Sequence, residues 1–220
     1  TTASASVYTW SAVLGSNSRI YIAYNSLTNA PAMDFIYLDS SFVLSSIYNK
    51  AGFSGAGGVS VQVDASNNVW ACYSNGAVIK VLIVNSALNS TTLASTTLSA
   101  ENPMLGQITG VISGTTGTFY YEMYGTAVDY SMNYIKTNTM TLAGTAGTAS
   151  VLVRQSCLAS RAFIDSSTNY FLIQHVSTLQ NQYFLLNGSG TAIAKIAQGT
   201  GVQSVEGWLP TVNYISGATY

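Results

Sequence analysis

Val63-Asp64-Ala65-Ser66-Asn67-Asn68-Val69-Trp70 opens on an aliphatic residue, turns through small polar ones and reaches an aromatic seven positions later. The same construction stands at Leu14-Gly15-Ser16-Asn17-Ser18-Arg19-Ile20-Tyr21, at Ile112-Ser113-Gly114-Thr115-Thr116-Gly117-Thr118-Phe119 and at Ile164-Asp165-Ser166-Ser167-Thr168-Asn169-Tyr170-Phe171. The aromatics fall at 21, 70, 119 and 171, in steps of 49, 49 and 52, and a fifth copy begins at Ile215-Ser216-Gly217-Ala218-Thr219-Tyr220. Self-similarity at a fixed period of this size marks a repeat architecture in which each copy is one supersecondary unit.

Within a period, β-branched and aromatic residues come in short runs separated by small polar turns, which is the pattern of strands. The second unit reads as Val59–Val63, Val69–Tyr73, Val78–Val84 and a Thr/Ser-rich run over Ser90–Leu98. The third reads as Ile108–Ile112, Phe119–Tyr124, Tyr130–Ile135 and Thr139–Val153, the last with a turn of its own. The fourth reads as Ala162–Ile164, Tyr170–Val176, Gln182–Leu186 and Ala192–Ala197. Four strands in about 40–50 residues is the unit of a β-propeller blade. The expected fold is all-β, a propeller of four-stranded antiparallel blades over 11–57, 58–106, 107–158 and 159–209. Residues 1–10 are expected to end a preceding blade and 210–220 to begin a further one, as in a slice of a longer polypeptide. Short strands at regular spacing also fit a two-sheet sandwich or a stacked β-array.

The 220 residues leave room for one such domain. Only 7% are charged, while 29 Ser and 24 Thr fill the polar share, so the surface is coated with hydroxyls. Seven Lys+Arg against eight Asp+Glu give a formal charge of -1, which removes the field that draws proteins to nucleic acid. One His and two Cys argue against a zinc site within one chain, and Cys72 and Cys157 read as small buried hydrophobes. The most apolar run, Ala77–Val84, has Lys80 in its middle and is too short to span a bilayer. No starting Met or basic-then-apolar signal segment stands at the N-terminus, which reads as a processed end.

Chemistry is harder to find. The eight acids Asp34, Asp39, Asp64, Glu101, Glu122, Asp129, Asp165 and Glu206 include no pair close in sequence, as glycosidase carboxylates would be if adjacent in the chain. Asp64 and Asp165 follow a first strand, where Asp caps a turn by accepting backbone N–H groups. Both resemble the Asp box of sialidases, without its central Gly, and in that family the box is structural. Arg19, Arg154 and Arg161 lie in a turn and around one connection, which does not suggest convergence on a single carboxylate. His175 has no nucleophile signature beside it. Gly52-Phe53-Ser54-Gly55-Ala56-Gly57-Gly58 lacks the Gly-Lys-Ser/Thr ending of a phosphate loop and reads as a linker between blades. The acceptor triplets at Asn89 and Asn187 are commonplace in so Ser/Thr/Asn-rich a chain.

Fifteen tyrosines remain. Tyr24, Tyr73, Tyr121 and Tyr124 are the candidate ligand or interface contacts, since a phenol buries area and still hydrogen-bonds. The competing reading packs them between blades as large planar fillers. The Asp-x-Ser-x-Asn-Val-Trp-type hairpin and the long Ser/Thr strands, as over Asn85–Ser99, resemble propeller segments of nozzle or tail tubular proteins of short-tailed bacteriophages. That resemblance implies a non-enzymatic structural component of the virion tail with no cofactor. It implies a homo-oligomeric ring among other tail proteins, with DNA passing only in transit. The alternative, from another class, is a receptor- or carbohydrate-binding propeller, whose partner is a host surface glycan.

Overall fold

The computed structural model describes residues 7–26, 32–51, 58–74, 78–89, 92–99, 103–123, 134–154, 157–165, 168–176, 180–187 and 192–200. They form sixteen strands and, among the described residues, no helix. Sheet 1 comprises β1 (Val7–Leu14), β2 (Ile20–Ser26), β3 (Ala32–Leu38) and β4 (Tyr48–Ala51). Sheet 2 comprises β5 (Val59–Val63), β6 (Val69–Ser74), β7 (Ile79–Val84) and β8 (Thr92–Ser99). Sheet 3 follows with β9 (Pro103–Ser113), β10 (Thr116–Met123), β11 (Tyr134–Thr141) and β12 (Ser150–Arg154). Sheet 4 holds β13 (Cys157–Asp165), β14 (Thr168–Val176), β15 (Gln180–Asn187) and β16 (Ala192–Thr200). Each sheet is an antiparallel meander in sequence order. First strands lie side by side, β1 against β5, β5 against β9 and β9 against β13. The chain is thus a β-propeller of four-stranded blades, as its period implies.

The decisive packing is at sheet 2. All six residues of β6 are buried, although side chains alternate between faces along a strand. Val69, Ala71 and Tyr73 pack with Leu82 and Val84 against Tyr21, Ala23, Met33 and Phe35 of sheet 1. Trp70 and Cys72 pack with Ile79, Val81 and Ile83 against Ile108, Phe119, Tyr121 and Met140 of sheet 3. Both faces are therefore core, which is why the β6 and β7 sequences are continuous apolar runs rather than alternating ones. Each such side chain contributes about 1.5–3 kcal/mol on leaving water. The Trp70 and Phe119 rings meet across the interface with centroids 6.5 Å apart. Polar stitches cross it too: Asn138 Nδ2 donates to the Leu98 carbonyl at 3.1 Å, and Thr96 Oγ1 to the Gly144 carbonyl at 2.6 Å.

Turns of one geometry recur at one end of the sheets. In 15–19, 39–43, 64–68 and 141–145 the first N–H reaches the fifth carbonyl and the fourth N–H the first carbonyl. The fourth residue is left-handed, being Ser18 (φ 62), Phe42 (φ 59), Asn67 (φ 61) or Gly144 (φ 88). Leu88 (φ 48) takes the same place after Asn85. Asp64 holds its turn by accepting the N–H groups of Ser66 and Asn68, each at 2.9 Å, on Oδ1. Its Oδ2 accepts Asn68 Nδ2 at 2.9 Å and the Trp70 indole N–H at 3.2 Å. Neighbouring turns interlock, with Asn67 Nδ2 donating to Ser16 Oγ at 3.0 Å. A Cβ on Gly15 would stand 2.6 Å from Asn67 Oδ1, so the close approach needs glycine there.

Two sequence expectations change. The blade boundaries move, because Val7–Trp10, assigned to a preceding blade, begin β1; a bulge between Val7 and Trp10 carries the pairing on to Ser26. Likewise β9 starts at Pro103 and β13 at Cys157. In the third unit Tyr134–Thr141 is one strand, where the sequence divided it between two. The third aromatic takes the opposite face from the second: Val63 pairs Val69 across a five-residue turn, but Ser113 pairs Thr116 across two residues. Phe119 therefore faces back to sheet 2, whereas Trp70 faces forward to sheet 3. The expected Thr211–Tyr220 hairpin and residues 1–6 lie outside the described residues. If the two-faced core carries the stack, Trp70→Ala costs about 3–5 kcal/mol in a denaturant titration. A loss below 1 kcal/mol would show that sheets 2 and 3 do not stack through this ring.

Candidate functional site

The meanders have two ends: the turn end, and the end where β2, β6 and β10 finish and β3, β7 and β11 begin. Three of the four singled-out tyrosines stand near the second end, each in register with a charged residue on the next strand. Tyr24 pairs Asp34, Tyr73 pairs Lys80 and Tyr121 pairs Lys136. These three charges stand at corresponding register positions of successive sheets. Two acids of the turn end do structural work, Asp64 as above and Asp39 accepting the N–H groups of Ser41 at 2.8 Å and Val43 at 2.9 Å.

The best-formed constellation is a cross-strand row on sheet 1. Tyr24, Asp34 and Asn49 are in register on β2, β3 and β4, and so share a face. Asp34 is only 1% exposed. It accepts Asn49 Nδ2 at 2.7 Å and also bonds the phenol of Tyr24. A carboxylate at such burial persists because donors surround it. Burial first, then the Asp34 charge and the bond to it, push the Tyr24 phenol above its usual range. Tyr24 thus stays a neutral donor. Asn49 is exposed and presents an amide whose orientation Asp34 sets.

The other tyrosines are placed differently. Tyr73 and Tyr121 are buried between sheets, in the cores that sheet 2 shares with sheets 1 and 3. Burial, with Cys72 adding to it, raises the Tyr73 phenol, and burial raises the Cys72 thiol. Tyr124 lies outside the described residues, as do Glu101, Asp129 and Glu206. Arg19 sits at the turn end with its guanidinium 4.1 Å above the Tyr37 ring, and Nη1 donates to the Ser86 carbonyl at 3.2 Å. Arg154 ends β12 and Arg161 pairs Leu172 in sheet 4, so the three arginines belong to three different sheets. His175 pairs Cys157 and Gln182. No group of three potential metal ligands occurs among the described residues.

No family model matches the chain, and no curated protein matches it. Solved structures do match. An exo-β-1,3-galactanase from Phanerochaete chrysosporium aligns with TM-score 0.51 at 10% identity, over 82% of this chain and 46% of its own. A glycoside hydrolase family 43 arabinoxylan arabinofuranohydrolase from Bacillus subtilis aligns with TM-score 0.51 at 10% identity, over 90% and 51%. An apocarotenoid oxygenase from Synechocystis aligns with TM-score 0.57 at 9% identity, over 92% and 52%. The chain spans about half the length of these structures, and at such identities the likeness is one of fold. None of these neighbours is a phage tail protein.

The expectation of a non-enzymatic protein is corrected by these neighbours, two of which are glycoside hydrolases. It rested on the resemblance to phage tail propellers and on the lack of acids paired in sequence, and a meander weakens the second ground by bringing distant residues into register. Tyr24 and Asp34 are ten positions apart and hydrogen-bonded.

The raised phenols have a pH consequence. A phenol whose folded pKa exceeds its unfolded value favours the native state below the ordinary value near 10, and that contribution is lost as pH rises through the folded value. Tyr24 and Tyr73 should therefore ionise above the ordinary range near 10 in a phenolate absorbance titration, Tyr73 only with alkaline unfolding. Tyr24→Phe and Tyr73→Phe should each shrink the late fraction; a single phase near pH 10 would show that neither phenol is held neutral.

Proposed function

We propose that the chain is a carbohydrate-recognising β-propeller and that the end bearing Tyr24, Asp34 and Asn49 receives the sugar. The observation that carries this is the Asp34-centred row, a buried carboxylate that fixes an exposed amide at the rim of a sheet. Sugars are neutral, carry an apolar face and present hydroxyls needing paired donors and acceptors. A surface of low charge, rich in Tyr, Ser, Thr and Asn, offers those partners without the desolvation cost of unpaired ions. The fold shared with a galactanase and an arabinofuranohydrolase supports the same reading. It favours the glycan-binding alternative over a tail component. Two roles follow for the row: Asn49 contacts a hydroxyl, and Asp34 positions Asn49 and Tyr24.

The test is a panel of neutral oligosaccharides that includes β-1,3-galactotriose and cellotetraose, scored by calorimetric binding and by release of reducing ends. At least one member should bind, and Asn49→Ala should weaken it roughly tenfold, about 1.4 kcal/mol, with an unchanged unfolding transition. Asn49→Asp, which sets a second carboxylate against buried Asp34 and removes its donor, should weaken binding at least as much as Asn49→Ala. Binding untouched by Asn49→Ala, or no binding across the panel, would overturn the proposal.

A further inference from the structure

The row that carries Tyr24, Asp34 and Asn49 has a fourth member on the first strand, Trp10, in register with Tyr24. Ser11 Oγ accepts the Val61 N–H at 3.0 Å and Val13 packs on the core shared with sheet 2. The alternate residue Trp10 therefore stands on the opposite face, where Tyr24 and Asp34 lie. The β1 bulge falls between Val7 and Trp10, and a bulge re-aims the side chain beside it.

The next two sheets hold the same row with other residues. In sheet 2 it runs Val59, Tyr73, Lys80 and Thr97. In sheet 3 it runs Ile108, Tyr121, Lys136 and Val151. The first-strand members there are aliphatic and pack between sheets, Val59 on the core of sheets 1 and 2 and Ile108 within that of sheets 2 and 3. Of these three sheets, sheet 1 carries an indole at that position, and it is 67% exposed. Trp70, by contrast, is fully buried with its N–H bonded to Asp64. An indole left mostly in water adds little to the core, and its flat apolar face is open to a ligand.

The row is accessible at its ends. Tyr24 is 7% exposed and Asp34 1%, whereas Trp10 and Asn49 are both exposed. Strands lie about 4.8 Å apart, so Trp10 on β1 and Asn49 on β4 are separated by three spacings, on the order of 14 Å. A single sugar ring does not reach across that span.

We propose that the site takes a chain of pyranose rings laid across the strands, one ring stacked on the Trp10 indole and another hydrogen-bonded to Asn49. This rests on the carbohydrate reading above and adds to it a stacking residue and a substrate class, an oligosaccharide in place of a free monosaccharide. A pyranose turns C–H bonds to a face and hydroxyls to its edge. The indole serves the face, and the amide held by Asp34 serves the edge. Between them Tyr24 and Asp34 are bonded to each other, which fixes the two ends relative to one another.

Titrations of cellotetraose and β-1,3-galactotriose, with glucose and galactose as single-ring counterparts, test this through affinity and tryptophan emission. At least one oligosaccharide should bind at least ~10-fold more tightly than its single-ring counterpart and shift the emission to the blue as Trp10 leaves water. Trp10→Ala should weaken that binding roughly tenfold and abolish the shift. Trp10→Phe, which keeps a flat ring, should retain most of the affinity and lose the shift, and it decides the matter should Trp10→Ala fail to fold. An oligosaccharide that needs Asn49 but is indifferent to Trp10→Ala, or that binds no better than the monosaccharide, would overturn this inference and leave the carbohydrate reading standing. Binding indifferent to Asn49→Ala, or no binding of any sugar, would remove both.

Discussion

Everything in this molecule depends on sheet 2 having no outside. A lone four-stranded sheet of the β5–β8 sequence would expose one apolar face to water whichever way it lay. Val69, Ala71 and Tyr73 need one neighbour, and Trp70 and Cys72 need another. Stacking consecutive sheets answers both needs at once, and it turns a repeat in sequence into a repeat in space. The interlocked turns and the stitches from Thr96 and Asn138 then set how each sheet sits on the next.

That stack divides labour between its ends. At the turn end the acids serve the backbone: Asp64 satisfies two amide N–H groups, a side-chain amide and an indole, leaving no part of the carboxylate for a ligand. At the other end Asp34, Lys80 and Lys136 stand beside tyrosines at matching levels. A rigid scaffold that commits the acids of one end to its turns leaves the charges of the other end for the proposed recognition without loosening its core.

The blade period was legible because hairpin turns and aromatic anchors repeat at nearly constant spacing, and the four-strand count survives small errors in strand length. Which face each aromatic takes was not legible. A two-residue turn at Gly114-Thr115 replaces a five-residue one, and with a side-chain period of two that change moves Phe119 to the opposite side of its sheet. The site was half legible. Tyrosines stood out as a residue type, but Asp34 looked like one more isolated acid. Its partnership with Tyr24 follows from the β2–β3 register, in which paired positions sum to 58, and a hairpin-symmetry search about that centre would have found it. Sequence separation of acids is a poor guide to function for the same reason: the meander, not the chain order, decides which groups meet.

Amide hydrogen exchange with and without a bound oligosaccharide probes both the two-sided core and the proposed recognition rim at one end. The slowest amides should be those of β6 and β7 in both states. Sugar should add protection at the rim, around Tyr24, Asp34 and Asn49, and leave the turns at 15–19 and 64–68 unchanged. Fast exchange in β6 would contradict the first, and ligand protection confined to the turn end the second.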